Sequence, residues 1–448
     1  RLFLNGEPYF QLGLLDQGYW PGGLHTAPSD EALAFDLEVT KQLGFNMARK
    51  HVKVEPDRWY YHADRLGVLV WQDIPSGDRY IGPSDEDYER DLFAAKVFAD
   101  EARAIVETKR WSGSIVSWVI FNEGWGQHAT AEWAETFRRW DPDRIINSAS
   151  GWTDRGVGDV LDLHAYPGPV SGDPGLGRAV VLGEFGGLGL PLAGHTWQDE
   201  SNWGYRNFTE VEQATLAYEE VLARLGPLIT TGLAAAVYTQ TTDVEIEVNG
   251  LVTYDRDVIK LDAARVRAAN AAALDAPTRI RQLVLDARGP DAWAPSSAWS
   301  ESQPIWRMTG EVPAAGWQLP AFDDSAWTPA AAGLGSDFTP GGRARADWPG
   351  DDIWARRSFE LTTAELDLAR APGTTLALSI HYDEDAEVYL NGQLVASPRG
   401  YTTGYIALPL DADSAALLRA GGNHLAVTCH NTAGARYIDV GLTLLLEH

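Results

Sequence analysis

The sequence predicts an α/β chain, a (β/α)8 barrel of the TIM type followed by an all-β, jelly-roll-like sandwich. Three observations carry that expectation. From residue 8 to about 274, short apolar strands alternate with helical patterns, which calls for parallel strands joined by helical crossovers. Eight such strands in roughly 270 residues match the size of a closed barrel. After Asp275-Ala276-Pro277 the pattern changes to short alternating strands separated by Pro-Gly, Asn-Gly and Gly-Gly turns, as in a sandwich. At 448 residues the chain is too long for one compact core. The expected domains are 1–276 and 277–445, with 446–448 read as a purification-tag remnant.

Barrel strands are expected at Tyr9–Leu15, Phe45–His51, Val68–Asp73, Ile115–Glu123, Ile145–Ser150, Leu161–Tyr166, Ala179–Phe185 and Ala234–Gln240. Between them, Ser29 caps a helix to Leu43, with Asp30 and Glu31 in its first turn and Gly44 past its end. A short helix spans Asp57–Leu66 and stops at Gly67. A long one is expected from a cap at Ser84 to about Lys109, and others at Ala129–Trp140, Thr209–Leu225 and Asp262–Leu274. Gly151–Val160 and Pro167–Gly177 are rich in Gly and Pro, so one or two barrel helices are expected to be missing or reduced. In the sandwich, Glu387–Leu390 and His424–Thr428 show the period-two alternation of half-buried strands.

Bulk properties exclude some partners. A net charge of -27 argues against nucleic acid and anionic membranes, and no apolar run approaches membrane-spanning length. Cys429 is the sole cysteine, so no intrachain disulfide forms. The 18 tryptophans suit both cores and sugar-stacking platforms. No closely spaced His/Cys set and no phosphate-binding glycine loop occurs, so no metal or cofactor is expected.

Two stretches share an unusual pattern. In Trp118-Val119-Ile120-Phe121-Asn122-Glu123-Gly124, a doubly buried strand breaks off at a carboxylate, which is costly unless a partner or ligand meets it. Ala179 to Gly187 repeats this, an apolar run ending at Glu184 before two glycines. Two glutamates at the ends of parallel strands face each other across a barrel mouth. Retaining glycoside cleavage needs that layout, one carboxyl donating a proton and the other attacking the anomeric carbon. Their ionisation must separate, and Arg49, ending the second strand, is the candidate cation beside the nucleophile. His51 and His164 also sit at strand ends, where a histidine serves either structure or the site.

These residues resemble glycoside hydrolase family two, which includes β-galactosidases and β-glucuronidases. Asn122-Glu123-Gly124 is similar to its acid/base motif and Gly183-Glu184-Phe185-Gly186-Gly187 to its nucleophile motif. The opening hairpin Leu2 to Gly13, Gly44 to His51, Leu66 to Asp73 and Leu163 to Pro169 match in order, so the resemblance covers residues 1 to roughly 270. It implies Glu123 as general acid/base and Glu184 as nucleophile. It further implies Asn122 on the sugar 2-hydroxyl, Tyr166 orienting the nucleophile, and Arg49, His51, Asp73 and His164 lining the sugar subsite. Trp125, Trp152 and Trp203 are candidate stacking platforms or packing residues, and Tyr238 is a candidate at the eighth strand. Asp243, Glu245 and Glu247 in the following loop either bind sugar hydroxyls or face solvent.

The expected activity is a retaining exo-β-glycosidase acting on an oligosaccharide or glycoside, β-galactosidase-like. Another β-glycosidase (glucuronidase or arabinosidase type) and a catalytically silent carbohydrate-binding protein are the alternatives. Two departures from the family bear on this. The sandwich and immunoglobulin-like domains that usually precede the barrel do not occur, so the chain is expected to be either a fragment or an unusual architecture. Its start at Arg1, with neither an initiator Met nor a signal peptide, is expected to lie inside a longer precursor or gene product. No Asn-x-Lys motif of the kind that reads a glucuronate carboxylate occurs, which favours a neutral sugar. The C-terminal region, with Asp352 to Arg357 and Asp383 to Gly392, resembles galactose-binding-like domains, which bind carbohydrate in some proteins and brace the catalytic domain in others.

Overall fold

The structure is a computed structural model and describes residues 1–172, 177–276, 279–289, 303–336, 342–348, 350–402, 404–432 and 434–446. Pro277, the Pro-Gly turn at 340–341, Pro349 and residues 447–448 of the expected tag remnant lie outside the described residues. The chain divides into two compact units. One comprises Arg1–Ser171, Arg178–Gly226 and Leu233–Asp275, the other Gly172–Gly177, Pro227–Gly232 and Ala276–His448.

The first unit is a barrel of eight parallel strands. They are β1 (Gln11–Asp16), β2 (Met47–Lys50), β3 (Leu69–Asp73), β4 (Ile115–Val119), β5 (Ile145–Asn147), β6 (Val160–Ala165), β7 (Ala179–Gly186) and β8 (Leu233–Thr239). Hydrogen-bonded neighbours run β5-β4-β3-β2-β1-β8-β7-β6. The remaining seam, β5 to β6, is bridged by side chains: Asn147 Nδ2 donates to Asp162 Oδ2 at 2.6 Å, and the Ile146 N–H to Asp159 Oδ2 at 2.7 Å. Side chains alternate along the strands. Met47, Trp71, Val119, Val181 and Val237 pack in one cluster, and Ala48, Val70 and Trp118 in another with helical residues such as Leu37, Val106 and Phe137.

Six helices serve the eight strands: α1 (Asp30–Gln42), α2 (Asp57–Leu66), α3 (Leu92–Lys109), α4 (Thr130–Trp140), α5 (Val211–Thr230) and α6 (Ala263–Leu274). Among the described residues none follows β5 or β6. Ser29 caps α1, accepting from the Ala32 N–H, and Asp262 caps α6. The expected cap at Ser84 is corrected. α3 begins eight residues later, with Asp91 accepting from the N–H groups of Phe93 and Ala94. The intervening segment is committed elsewhere. Asp87 Oδ2 accepts from the Thr130 N–H and hydroxyl at the start of α4, while Arg155 binds Asp87 Oδ1 at 2.8 Å.

In the second unit two antiparallel sheets stack. One is ordered β9 (Arg279–Val284), β19 (Tyr437–Leu446), β14 (Thr374–Asp383), β17 (Ile406–Pro409), with β12 (Leu334–Gly335) also on β19. The other is β11 (Thr328–Ala331), β10 (Ile305–Thr309), β13 (Asp352–Leu361), β18 (Gly421–His430), β15 (Asp385–Leu390), β16 (Gln393–Ala396). Their facing residues, among them Ile353, Ala355, Leu378, Ile380, Val388, Val427, Val440 and Leu442, form one core.

Candidate active site

The β4 ladder ends at Val119, so Glu123 stands beyond the strand and not on it. Its N–H donates to the Ser150 carbonyl at 2.8 Å, and its φ of 53° places it in the left-handed region. The glycines that follow have a steric reason. A Cβ on Gly124 would lie 2.1 Å from the Ile81 carbonyl oxygen, and one on Gly126 1.8 Å from that of Ser76. Glu184 sits inside β7 and is paired with His164 just past a register irregularity. One oxygen from each glutamate and one His164 nitrogen lie within 4.8 Å of one another.

Arg49 organises the surroundings. Its Nε and Nη2 donate to Asp73 Oδ1 and Oδ2 at 3.0 and 2.9 Å, a bidentate pair. Nη2 also donates to Asn122 Oδ1 at 2.7 Å, and Nη1 to Glu184 Oε1 at 3.3 Å and the Gly183 carbonyl at 3.1 Å. This fixes the Asn122 amide, whose Nδ2 is left as the donor for a ligand. On the other oxygen of Glu184, the Tyr166 hydroxyl donates to Oε2 at 2.5 Å and is itself 2.9 Å from Thr239 Oγ1. His51 Nδ1 lies 3.0 Å from Asp73 Oδ2 and 4.0 Å from Glu184 Oε1.

Burial alone would push Glu184 up, but His164, Arg49, His51 and the Tyr166 hydroxyl outweigh it and hold the carboxyl below its ordinary value. Burial likewise opposes the ionised form of Asp73, and Arg49 with His51 reverses the balance. Burial and the negative Glu184 keep the Tyr166 phenol well above its usual value, so it stays a donor.

Burial divides the expected site residues. Arg49 and Asp73 are essentially unexposed and every guanidinium nitrogen is engaged with protein, so they hold the glutamate and asparagine in place. The His164 side chain has 0% exposure and meets the carboxylates of Glu123 and Glu184. Tyr238 is also fully buried, against Phe185 and Tyr218 of α5, because strand alternation sends its neighbour Thr239 to Tyr166 and Tyr238 to the other face. Trp125, Trp152 and Trp203 are each exposed, as a platform must be. Asp243 is buried in a pair with Lys260 at 2.6 Å, and Glu245 is exposed on a turn. Glu247 is partly buried, with Oε1 accepting from Asn249 at 2.9 Å. Burial and then the Glu184 charge push its carboxyl up against the opposing Asn249 bond, which puts Glu247 in the field of the site.

Sequence reasoning missed Ser150, Thr239, Asp162 and Tyr205. Tyr205 lies flat on Tyr166, centroids 3.6 Å apart, with Trp203 edge-on to it. Its place two residues after Trp203 was the available signal. Buried Asp162 accepts from the Gly183 N–H at 2.6 Å, and no local sequence pattern marks it.

Fold and site together define a class, a (β/α)8 barrel with two close-set carboxylates at the C-terminal ends of its strands. No family model and no curated protein matches the chain. Among solved structures it is similar to a GH2 β-galacturonidase from Eisenbergiella tayi bound to galacturonate, with 19% identity and a TM-score of 0.47 over 60% of this chain and 52% of that one. A β-D-glucuronidase of Dictyoglomus thermophilum gives 16% identity and a TM-score of 0.47 over 60% and 51%. β-Glucuronidase 2 of Bacteroides uniformis, covalently bound to cyclophellitol-6-carboxylate aziridine, gives 14% and 0.46 over 100% and 66%. The chain spans about half the length of the first two.

Proposed function

We propose that the barrel unit is a retaining exo-β-glycosidase working by double displacement, with Glu184 as nucleophile and Glu123 as general acid/base. The observation that carries this reading is the pair of glutamate oxygens within 4.8 Å. Inverting enzymes hold their carboxyls about 6.5–9.5 Å apart to admit a water, whereas retaining ones set them about 5–5.5 Å apart. The environments support the division of labour. Glu184 is buried, fixed by Arg49 and Tyr166 and held ionised, as an attacking carboxylate must be. The Glu123 side chain keeps 23% exposure, open to a leaving group and then to water.

In the first step Glu184 attacks the anomeric carbon as Glu123 protonates the departing oxygen. In the second, Glu123 takes a proton from water, whose oxygen displaces Glu184. We assign Asn122 Nδ2 as the donor to the sugar 2-hydroxyl, an interaction that strengthens towards the transition state, because Arg49 already occupies its Oδ1. Trp125, Trp152 and Trp203 offer exposed faces for the sugar and aglycone, and His51 reaches the site from just past the end of β2.

Neutral β-hexosides, galactosides first, are the substrate class we favour. What supports a neutral sugar is that no Asn-x-Lys motif of the kind that reads a glucuronate carboxylate occurs in the sequence. A panel of nitrophenyl β-glycosides and β-uronides tests this, with NMR of the first-formed anomer. A first product of retained configuration from a neutral sugar is expected. An inverted product sinks the mechanism, turnover confined to uronides sinks the substrate class, and binding without turnover makes the protein a carbohydrate-binding one.

A further inference from the structure

His164 has a place that the double-displacement chemistry does not by itself require. Its Nδ1 lies 2.8 Å from Glu123 Oε1 and 3.5 Å from Glu184 Oε2, between the two carboxylates. Nε2 is 2.7 Å from Ser150 Oγ. The imidazole is enclosed, its ring meeting the edge of Trp152 and its Nδ1 3.3 Å from where a Cβ on Gly151 would stand. Gly151 therefore lets the ring reach both acids.

We infer that His164 is a positioning residue that shares the acid/base proton with Glu123 and screens Glu123 from Glu184, with Ser150 holding its tautomer. The inference rests on the glycosidase reading above. Two close carboxylates cannot both ionise freely. A third site between them allows one proton to be held by the group and not by one residue. With Nε2–H donating to Ser150 Oγ throughout, the proton moves between Nδ1 and Oε1 across 2.8 Å and no other bond changes. On Oε1 it makes Glu123 the general acid. On Nδ1 it leaves Glu123 a carboxylate, as the second step needs. When a glycoside reacts, that proton passes to the leaving oxygen, which keeps the electron pair of its broken bond to the anomeric carbon while a Glu184 oxygen bonds that carbon.

The charges facing His164 come from three strands and one loop. Glu123 follows β4, Glu184 is on β7, Asp162 is two residues earlier on β6, and Arg49 is on β2. Burial disfavours the imidazolium, and Arg49 opposes it as well. Glu184, the bond to Glu123, and Asp162 outweigh them, so the ring is held above its ordinary value.

Two measurements on the full chain decide the matter. NMR titration of the His164 ring reads proton sharing without turnover. Glu123→Gln and Glu184→Gln should each lower the His164 midpoint by about one pH unit, and Ser150→Ala should lower it by less. A His164 ring that stays neutral from pH 5 to 9 and ignores Glu123→Gln overturns the inference. The second measurement is the pH profile of kcat/KM. His164→Asn should narrow the bell from both sides: the acidic limb rises because Glu184 loses its cation, and the basic limb falls because the shared proton loses one holder. Ser150→Ala should narrow it less and serves if His164→Asn does not fold. A uniform loss at every pH, with both limbs in place, would leave His164 a structural residue while Glu123 and Glu184 keep their roles. If the wild-type chain cleaves no glycoside, the proposed function fails, and the ring titration still decides the sharing.

Discussion

The Tyr166 hydroxyl and the Glu184 carboxylate meet at 2.5 Å on Oε2, the oxygen that Arg49 does not take. One oxygen is thus met by a fixed cation and the other by a neutral donor, and the two contacts have separable consequences.

Arg49→Met should raise the acidic limb of kcat/KM, since the ionised Glu184 loses a charge partner. It also strands buried Asp73, so a stability loss of about 3–5 kcal/mol is expected by denaturant titration. Arg49→Lys keeps a positive charge and should restore most of the stability but little of the two-pronged geometry. A Met variant with an unmoved acidic limb would make Arg49 a structural partner only. Tyr166→Phe should move the same limb the same way by less, because it removes one hydrogen bond and no charge.

Glu184→Ala should cut turnover by on the order of 10⁴-fold or more. Azide then fits the vacated space and attacks from the nucleophile's side, giving a glycosyl azide of inverted configuration. Recovery of a retained azide would mean the two glutamates are assigned the wrong way round.

For Glu123→Ala, aryl glycosides with acidic leaving groups should still form the glycosyl-enzyme, because such leaving groups need no proton. Deglycosylation becomes rate-limiting, by about 10²–10⁴-fold, visible as a burst. Added azide should yield a product of retained configuration, and its absence together with a lost burst would argue against this role.

The sandwich carries its own titration. Burial, with the charge of Asp286 next, lifts Asp439 from 3.8 to about 6. A folded-state value above the unfolded one means the folded chain binds more protons between these limits, so stability falls as pH rises from about 4 to above 6. The same Oδ2 accepts from the Ala287 N–H and the Tyr405 hydroxyl, both at 2.6 Å, and an asparagine oxygen can replace it. Asp439→Asn should therefore flatten the pH dependence of the thermal transition, with the variant gaining on the wild type at pH 8. Parallel curves for the two proteins would count against it.

Capping offers a plain comparison. Asp91→Ala should cost about 1 kcal/mol, since two N–H groups at the start of α3 lose their acceptor. Ser84→Ala should change stability by less than about 0.5 kcal/mol. Chemical denaturation of the two variants tests where that helix begins.

The sequence by itself determined the eight strands, most of the helices and the two glutamates. Strand periodicity, Ser29 and Asp262 at helix starts, Gly67 at a helix end, and a carboxylate after a buried run are all local signals. Ser84 misled because Asp87, three residues on, is captured by Thr130 and Arg155, partners 43 and 68 residues away. Only the tertiary structure decided which side chains stay exposed and which are enclosed and hold others in place. Arg49, Asp73 and His164 read alike as strand-end polar residues, yet their enclosure leaves their polar groups bonded to protein. Tyr238 fell on the wrong face because alternation is fixed by the register of β7 and β8, and Ser150 and Asp162 owe their roles to the closure of the barrel. Closure brings distant strands together, and burial then makes every charge find a partner. Neither condition is written in any local stretch of the chain.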